Sequence, residues 1–273
     1  MYKKRFRTDD IEISYLEAGD GERSVVFVHG MAETADSCWS EQIATLSDSY
    51  HCYAVDLRGH GESTVGAADA TLEQLGSDLL KFLDGVAGPS VVIGFSLGAT
   101  IALWAASQQS PLVRHVIAMG GSSVISRTTA GFFRDKAAAI DRHELRAVHD
   151  EMRKEVGAMF QANPHKAEEY GARRVASIGE GRGYANAALA MARMREHPLQ
   201  PQLQNVTCAV DVVGGENDLW CPQKASDIIL DGLSTDSAGF TQIPEVGHLM
   251  SVDDPDTVTD TLTTLLVKAS ESK

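Results

Sequence analysis

The chain has 273 residues, 43% of them hydrophobic, with 24 Lys plus Arg against 38 Asp plus Glu and a formal net charge of −14. That length and apolar content suffice for one large core, the lack of any apolar run of roughly eighteen residues argues against a membrane span, and the acidic balance argues against nucleic acid or an anionic membrane as partner. The basic opening from Met1 to Arg7 runs into Thr8, Asp9 and Asp10, not an apolar segment, and Cys38, Cys52, Cys208 and Cys221 show neither CxxC nor metal spacing; a cytoplasmic protein with reduced, mostly buried thiols is expected.

In chain order, Ile11 to Leu16 alternates apolar and polar residues, as an antiparallel strand does. Ser24–Val28 is a short apolar run that ends in His29-Gly30-Met31. Runs of this kind predict buried parallel strands, and further ones are His51–Asp56, Ser90–Ile93 and Val113–Met119. Helical patterns over Ser40–Leu46, Leu72–Leu83 and Ala99–Ser107 separate them. Between the second and third runs lies Asp56-Leu57-Arg58-Gly59-His60-Gly61-Glu62-Ser63. It has no lysine and no GxxxxGK[ST] pattern, so it is read as a shaped structural turn and not a phosphate loop.

After Gly121 the strand rhythm stops, and residues 129–197 carry helical periodicity. Strands resume at Cys208–Val213 and Phe240–Ile243, and a last helix follows Pro255. Strands alternating with helices predict an α/β fold with a mostly parallel, doubly wound sheet. Residues 1–121 and 201–273 form its core, and residues 122–200 form an inserted helical cap.

Gly94-Phe95-Ser96-Leu97-Gly98 joins an apolar strand to a helix. A serine on such a strained turn is raised above the sheet as a nucleophile. Acyl transfer also needs donors for the oxyanion. The backbone N–H of Leu97 is one candidate and that of Met31 the other, while His29 is read as structural. A carboxylate ends the glycine turn of Gly214-Gly215-Glu216-Asn217-Asp218, and Glu245-Val246-Gly247-His248 follows the last strand. Asp218 is preferred over Glu216 and over Asp211, which lies inside the strand. The order Ser96, Asp218, His248 is that of an acyl-transfer triad. No metal and no organic cofactor is expected.

Residues 122–200 hold 13 Lys plus Arg and 10 Asp plus Glu, a net of +3 on an otherwise acidic chain. One reading is a solvated helical face with ordinary i,i+4 pairs. The other is an arginine that meets an anionic small-molecule substrate, with Arg127 or Arg173 as candidates. Phe95, Trp39, Phe132 and Phe133 are the apolar candidates for substrate contact. The surplus of apolar residues in the segment, among them Met152, Met159, Phe160, Tyr184, Met191 and Met194, predicts a cover over the Ser96 pocket.

These motifs, in this order, resemble the α/β-hydrolase superfamily with a helical cap. Trp39-Ser40-Glu41-Gln42 is similar to the helix that follows the oxyanion loop in that family. The nearest likeness is to the 3-oxoadipate enol-lactonase and small carboxylesterase branch. The resemblance implies a serine hydrolase that cleaves a small carboxylic ester or lactone through an acyl-enzyme, acting as a monomer or homodimer. Ser96 stands where haloalkane dehalogenases and epoxide hydrolases carry an aspartate nucleophile. Met31-Ala32-Glu33 lacks the extra glycine common in C–C bond hydrolases. A C–C bond hydrolase, a thioesterase or acyltransferase, and a ligand receptor built on the hydrolase fold stay open as alternatives.

Overall fold

The computed structural model describes residues 1–235 and 238–271. Eight strands form one sheet: β1 (Tyr2–Arg7), β2 (Glu12–Ala18), β3 (Ser24–Val28), β4 (His51–Val55), β5 (Ser90–Phe95), β6 (Val113–Met119), β7 (Ala209–Gly215) and β8 (Ala238–Ile243). Their order is β1-β2-β4-β3-β5-β6-β7-β8. From β4 to β8 all pairings are parallel, whereas β1 and β2 add an antiparallel edge.

Parallel strands buried on both faces need apolar side chains on both. In β3, Val26 and Val28 join one apolar layer while Val25 and Phe27 join the other. In β6, Val116 and Ala118 face the first, Ile117 and Met119 the second. Helices α2 (Leu72–Phe82), α3 (Leu97–Ser107) and α8 (Gln223–Gly232) cover the first layer. Helix α1 (Ala35–Leu46), the short α9 (Met250–Asp253) and α10 (Pro255–Glu271) cover the second. Every residue of α3 is buried, so this helix is apolar all round and lies at the centre of the molecule.

Between β6 and β7 the chain leaves the sheet for α4 (Arg127–Asp141), α5 (Leu145–Met159), α6 (Ala167–Ser177) and α7 (Arg182–Arg193). In this segment α4 packs on α7 and α5 on α6. The Asp56–Ser63 turn anchors it. A Cβ on Gly183 of α7 would lie 2.2 Å from the Gly59 carbonyl, so only paired glycines allow this contact. The Gly61 N–H donates to the Ser177 carbonyl at 3.0 Å. Within the turn, Asp56 accepts from the N–H groups of Ala35 and Glu62, and Arg58 makes two bonds to Asp78. The turn is therefore a joint between the sheet and the inserted helices.

The elements differ from the sequence reading at their ends. Strand β1 has no apolar alternation, being the polar edge of the sheet, and periodicity misses it. Helix α1 starts at Ala35 and not Ser40, because Thr34 caps it: its hydroxyl accepts from Ser37 N–H while the Ser37 hydroxyl accepts from Thr34 N–H. Residues Leu83–Ala87 wind into a π-turn after α2, and β8 starts at Ala238, two residues before the apolar run. All four cysteines are free, Cys38 and Cys52 buried, Cys208 and Cys221 half-buried. Among the described residues no helix is long and apolar enough to cross a membrane.

Candidate active site

Ser96 joins β5 to α3 with φ of 52°, a left-handed conformation that costs a non-glycine residue about 1–3 kcal/mol. The surroundings enforce it. A Cβ on Gly94 would stand 2.3 Å from the Gly98 carbonyl oxygen, and one on Gly98 would stand 2.2 Å from that of Val28. The Ser96 N–H donates to the Met119 carbonyl at 2.8 Å, tying the turn to β6. The serine hydroxyl caps nothing in α3 and is left for another partner.

That partner is His248, whose Nε2 lies 3.0 Å from Ser96 Oγ, and His248 Nδ1 lies 2.8 Å from Asp218 Oδ2. The loops carrying these two residues are stitched together. Glu216 N–H donates to Ile243 O at 2.9 Å, and Asn217 N–H donates to Val246 O at 3.0 Å. The second oxygen of Asp218 accepts from Trp220 N–H at 2.8 Å and Cys221 N–H at 2.9 Å. Burial alone would push the Asp218 carboxyl up; the charge and hydrogen bond of His248, with the two N–H donors, outweigh it and hold the group below the usual carboxylate range. A carboxylate held in this state orients the imidazole and stabilises its cation.

The competing acids are engaged elsewhere. Asp211 bonds His115 at 2.8 Å and Lys268 at 3.0 Å. Glu216 is exposed and accepts from the Glu245 N–H.

The Leu97 N–H, at the first position of α3, has no preceding helical carbonyl to donate to. Met31 follows the end of β3. The buried Glu33 carboxylate accepts the Gly30 N–H at 2.8 Å and so fixes the turn that carries Met31. His29 is fully buried and a structural pin: its Nδ1 donates to the Gly30 carbonyl and its Nε2 accepts from Leu57 N–H. Burial pushes its pKa down to about 4. Asp253, also fully buried, accepts from the N–H groups of Gly247, Gln161, Ala162 and Asn163. One carboxylate thus ties the histidine loop to the end of α5.

Ser96 and His248 open into a cavity that Met31, Leu97 and Phe95 line from the sheet side. Phe132 and Phe133 line it from α4. Phe132 sits 5.8 Å, ring to ring, from Trp220, and Phe95 sits 5.1 Å from the His248 ring.

Three expected contacts lie elsewhere. Trp39 is fully buried against Phe27 at 5.2 Å, in the core behind the sheet. Arg127 is exposed at the start of α4, and Arg173 is exposed and pairs with Glu169 one turn away on its own helix. The arginine on the cavity wall is Arg174, joined by Glu155 and Trp220. Sequence reasoning missed these three. The spacing held a signal for the first, because Arg174 lies four residues beyond Tyr170 and three before Ser177, the buried face of α6.

A sequence model of the Alpha/beta hydrolase family matches residues 25–261. The chain is 25% identical over 220 residues to 3-oxoadipate enol-lactonase 2 of Acinetobacter baylyi, an alignment covering 80% of each chain. It superposes on an enol-lactonase from Burkholderia xenovorans with a TM-score of 0.84 at 19% identity, over 97% of this chain and 100% of that one, a likeness of fold alone. A thermophilic esterase from Thermogutta terrifontis, with malate bound, gives a TM-score of 0.84 at 25% identity, over 98% and 99% of the two chains.

Proposed function

The chain belongs to the alpha/beta hydrolase family, and from that premise we propose that it hydrolyses a small carboxylic ester or lactone through an acyl-enzyme on Ser96. The observation that carries this reading is the continuous contact from Ser96 Oγ through His248 to Asp218, with Ser96 and His248 on the cavity wall. His248 Nε2 takes the hydroxyl proton as Oγ attacks the substrate carbonyl. The N–H groups of Leu97 and Met31 receive the negative charge that forms on the carbonyl oxygen; losing one such donor typically costs about 3–4 kcal/mol of barrier. The imidazolium, steadied by Asp218, gives its proton to the leaving alkoxide. In a lactone that alkoxide stays tethered to the acyl group. Water, deprotonated by His248, then attacks the acyl-enzyme; the bond to Ser96 Oγ breaks, the imidazolium returns the proton to Oγ, and the carboxylic acid is released.

The kinship with enol-lactonases and an esterase supports this chemistry over C–C bond cleavage. Helices α4–α7 act in this reading as a lid that selects the substrate. The test is labelling with a fluorophosphonate, followed by turnover of short p-nitrophenyl esters and aliphatic lactones. Ser96 should carry the label, and Ser96→Ala should fold as the parent does and lose roughly 10⁴-fold or more in kcat. Labelling at another residue, or undiminished turnover in Ser96→Ala, overturns the reading.

A further inference from the structure

Arg174 is nine-tenths buried on α6 and lines the same cavity as Ser96 and His248. Among the described residues its guanidinium makes no hydrogen bond, and its Nε is enclosed without a partner. The nearest carboxylate oxygen is Glu33 Oε1, at 4.0 Å, beyond hydrogen-bonding distance. Nor are the Glu33 oxygens free to move toward it. One accepts the Gly30 N–H, the other the Tyr170 hydroxyl. Burial first, then the charge of Glu33, keeps that tyrosine protonated and so a donor. Glu33 therefore balances the charge of Arg174 without consuming its donors.

The other acid on the wall is also occupied. Glu155 pairs with the buried Lys136 at 2.8 Å, and Lys136 makes a second pair with Glu151 at 2.5 Å. The Arg174 fork thus borders a mostly apolar cavity with no hydrogen bond among the described residues. A buried donor left in this state costs free energy, and a buried cation more. An anion that enters the cavity would meet those donors with little rearrangement.

We propose that Arg174 is a substrate-binding residue whose guanidinium receives a carboxylate carried by the substrate, so that the protein prefers acid-bearing esters or lactones to neutral ones of equal size. The proposal rests on the hydrolase reading for the word substrate, while the anion site itself does not. A carboxylate matches the fork with two parallel bonds, which a lysine cannot offer.

The test compares monomethyl glutarate with dimethyl glutarate. The ratio of their kcat/KM values should fall by about tenfold or more in Arg174→Gln and by less in Arg174→Lys. Calorimetry on the Ser96→Ala protein, titrated with each ester, reads binding without turnover. Monomethyl glutarate should bind more tightly than dimethyl glutarate, and the difference should vanish when Arg174→Gln is added. Equal binding of the two esters in Ser96→Ala overturns the proposal whatever the kinetics show. So does an equal loss for both esters in Arg174→Gln, which is the mark of a structural role. If the binding difference is present but the parent cleaves neither ester, the anion site stands and the ester reading falls.

Discussion

Asp218 lies behind His248 and Arg174 lines the cavity in front of it; both are buried, yet the two are held in opposite ways. At the sheet edge, Asp218 has two backbone N–H donors on one oxygen and His248 on the other. In the inserted helices, the Arg174 guanidinium has no hydrogen bond among the described residues. A fully bonded buried charge is a part set in place before any ligand arrives, and its energy is spent on geometry. An unbonded one is a place where a ligand can supply what the protein withholds. Under the two proposals made above, the sheet edge serves the reaction and the helices above it serve recognition.

The strongest way to break that contrast is at the sheet edge. Asp218→Asn should fold normally yet lower kcat by about 10⁴, since an amide cannot hold the same imidazole tautomer or stabilise its cation. Glu216→Gln should stay within about threefold of the parent, because that exposed side chain only accepts from a loop N–H. Ester kinetics on the two variants decide which carboxylate is set in place; a crippled Glu216→Gln would move the assignment.

A second, smaller effect appears in stability. Beneath the sheet edge, His29 and His60 lie 5.5 Å apart, ring to ring, and both are fully buried. Burial holds His29 at about 4; burial and then the charge of His29 hold His60 at about 3. As pH falls below 6.5 the unfolded chain takes up protons on these residues and the folded one does not. Folding is therefore insensitive to the pair near pH 8. It loses about 1.4 kcal/mol per pH unit per histidine as pH falls from 6.5 toward 4. Urea midpoints between pH 5.5 and 4.5 should show a slope shallower by about that amount in His60→Gln. An unchanged slope would place the acid sensitivity in other groups.

The smallest effect sharpens the contrast within one helix. Arg173→Ala removes an exposed pair with Glu169 and should shift unfolding by less than about 0.5 kcal/mol. It should leave the ratio of monomethyl to dimethyl glutarate turnover within about threefold. Kinetics matched against Arg174→Gln test whether one step along α6 separates a solvated arginine from a substrate-binding one.

The parts of the site that the sequence displays are those made by local backbone. Ser96, Asp218 and His248 each follow an apolar strand, and each has a glycine within three residues that permits a sharp turn. In a parallel sheet the carboxyl ends of neighbouring strands share one edge, so three separated turns converge there. The strand rhythm of β3 to β7 is legible for the same reason, because two-sided burial leaves unbroken apolar runs. Strand β1 is not legible, since its exposed residues leave no period, and α1 is misread at its start because its cap relies on Thr34 and Ser37 and not on apolar spacing.

The helical insert shows how far local order reaches. Its composition reveals helices, an apolar surplus and a positive balance. Successive residues of a helix point about 100° apart, so Arg173 and Arg174 face different directions. Which one faces the cavity depends on how α6 packs against α5 and how Tyr170 reaches Glu33 beneath the sheet edge. Trp39 moved the other way, into the core, because α1 lays it against Phe27. The sequence by itself determined the sheet and the three turns that bear Ser96, Asp218 and His248, because backbone geometry is encoded within a few residues. Only the tertiary structure decided which side chains line the cavity, because that depends on packing between segments more than a hundred residues apart.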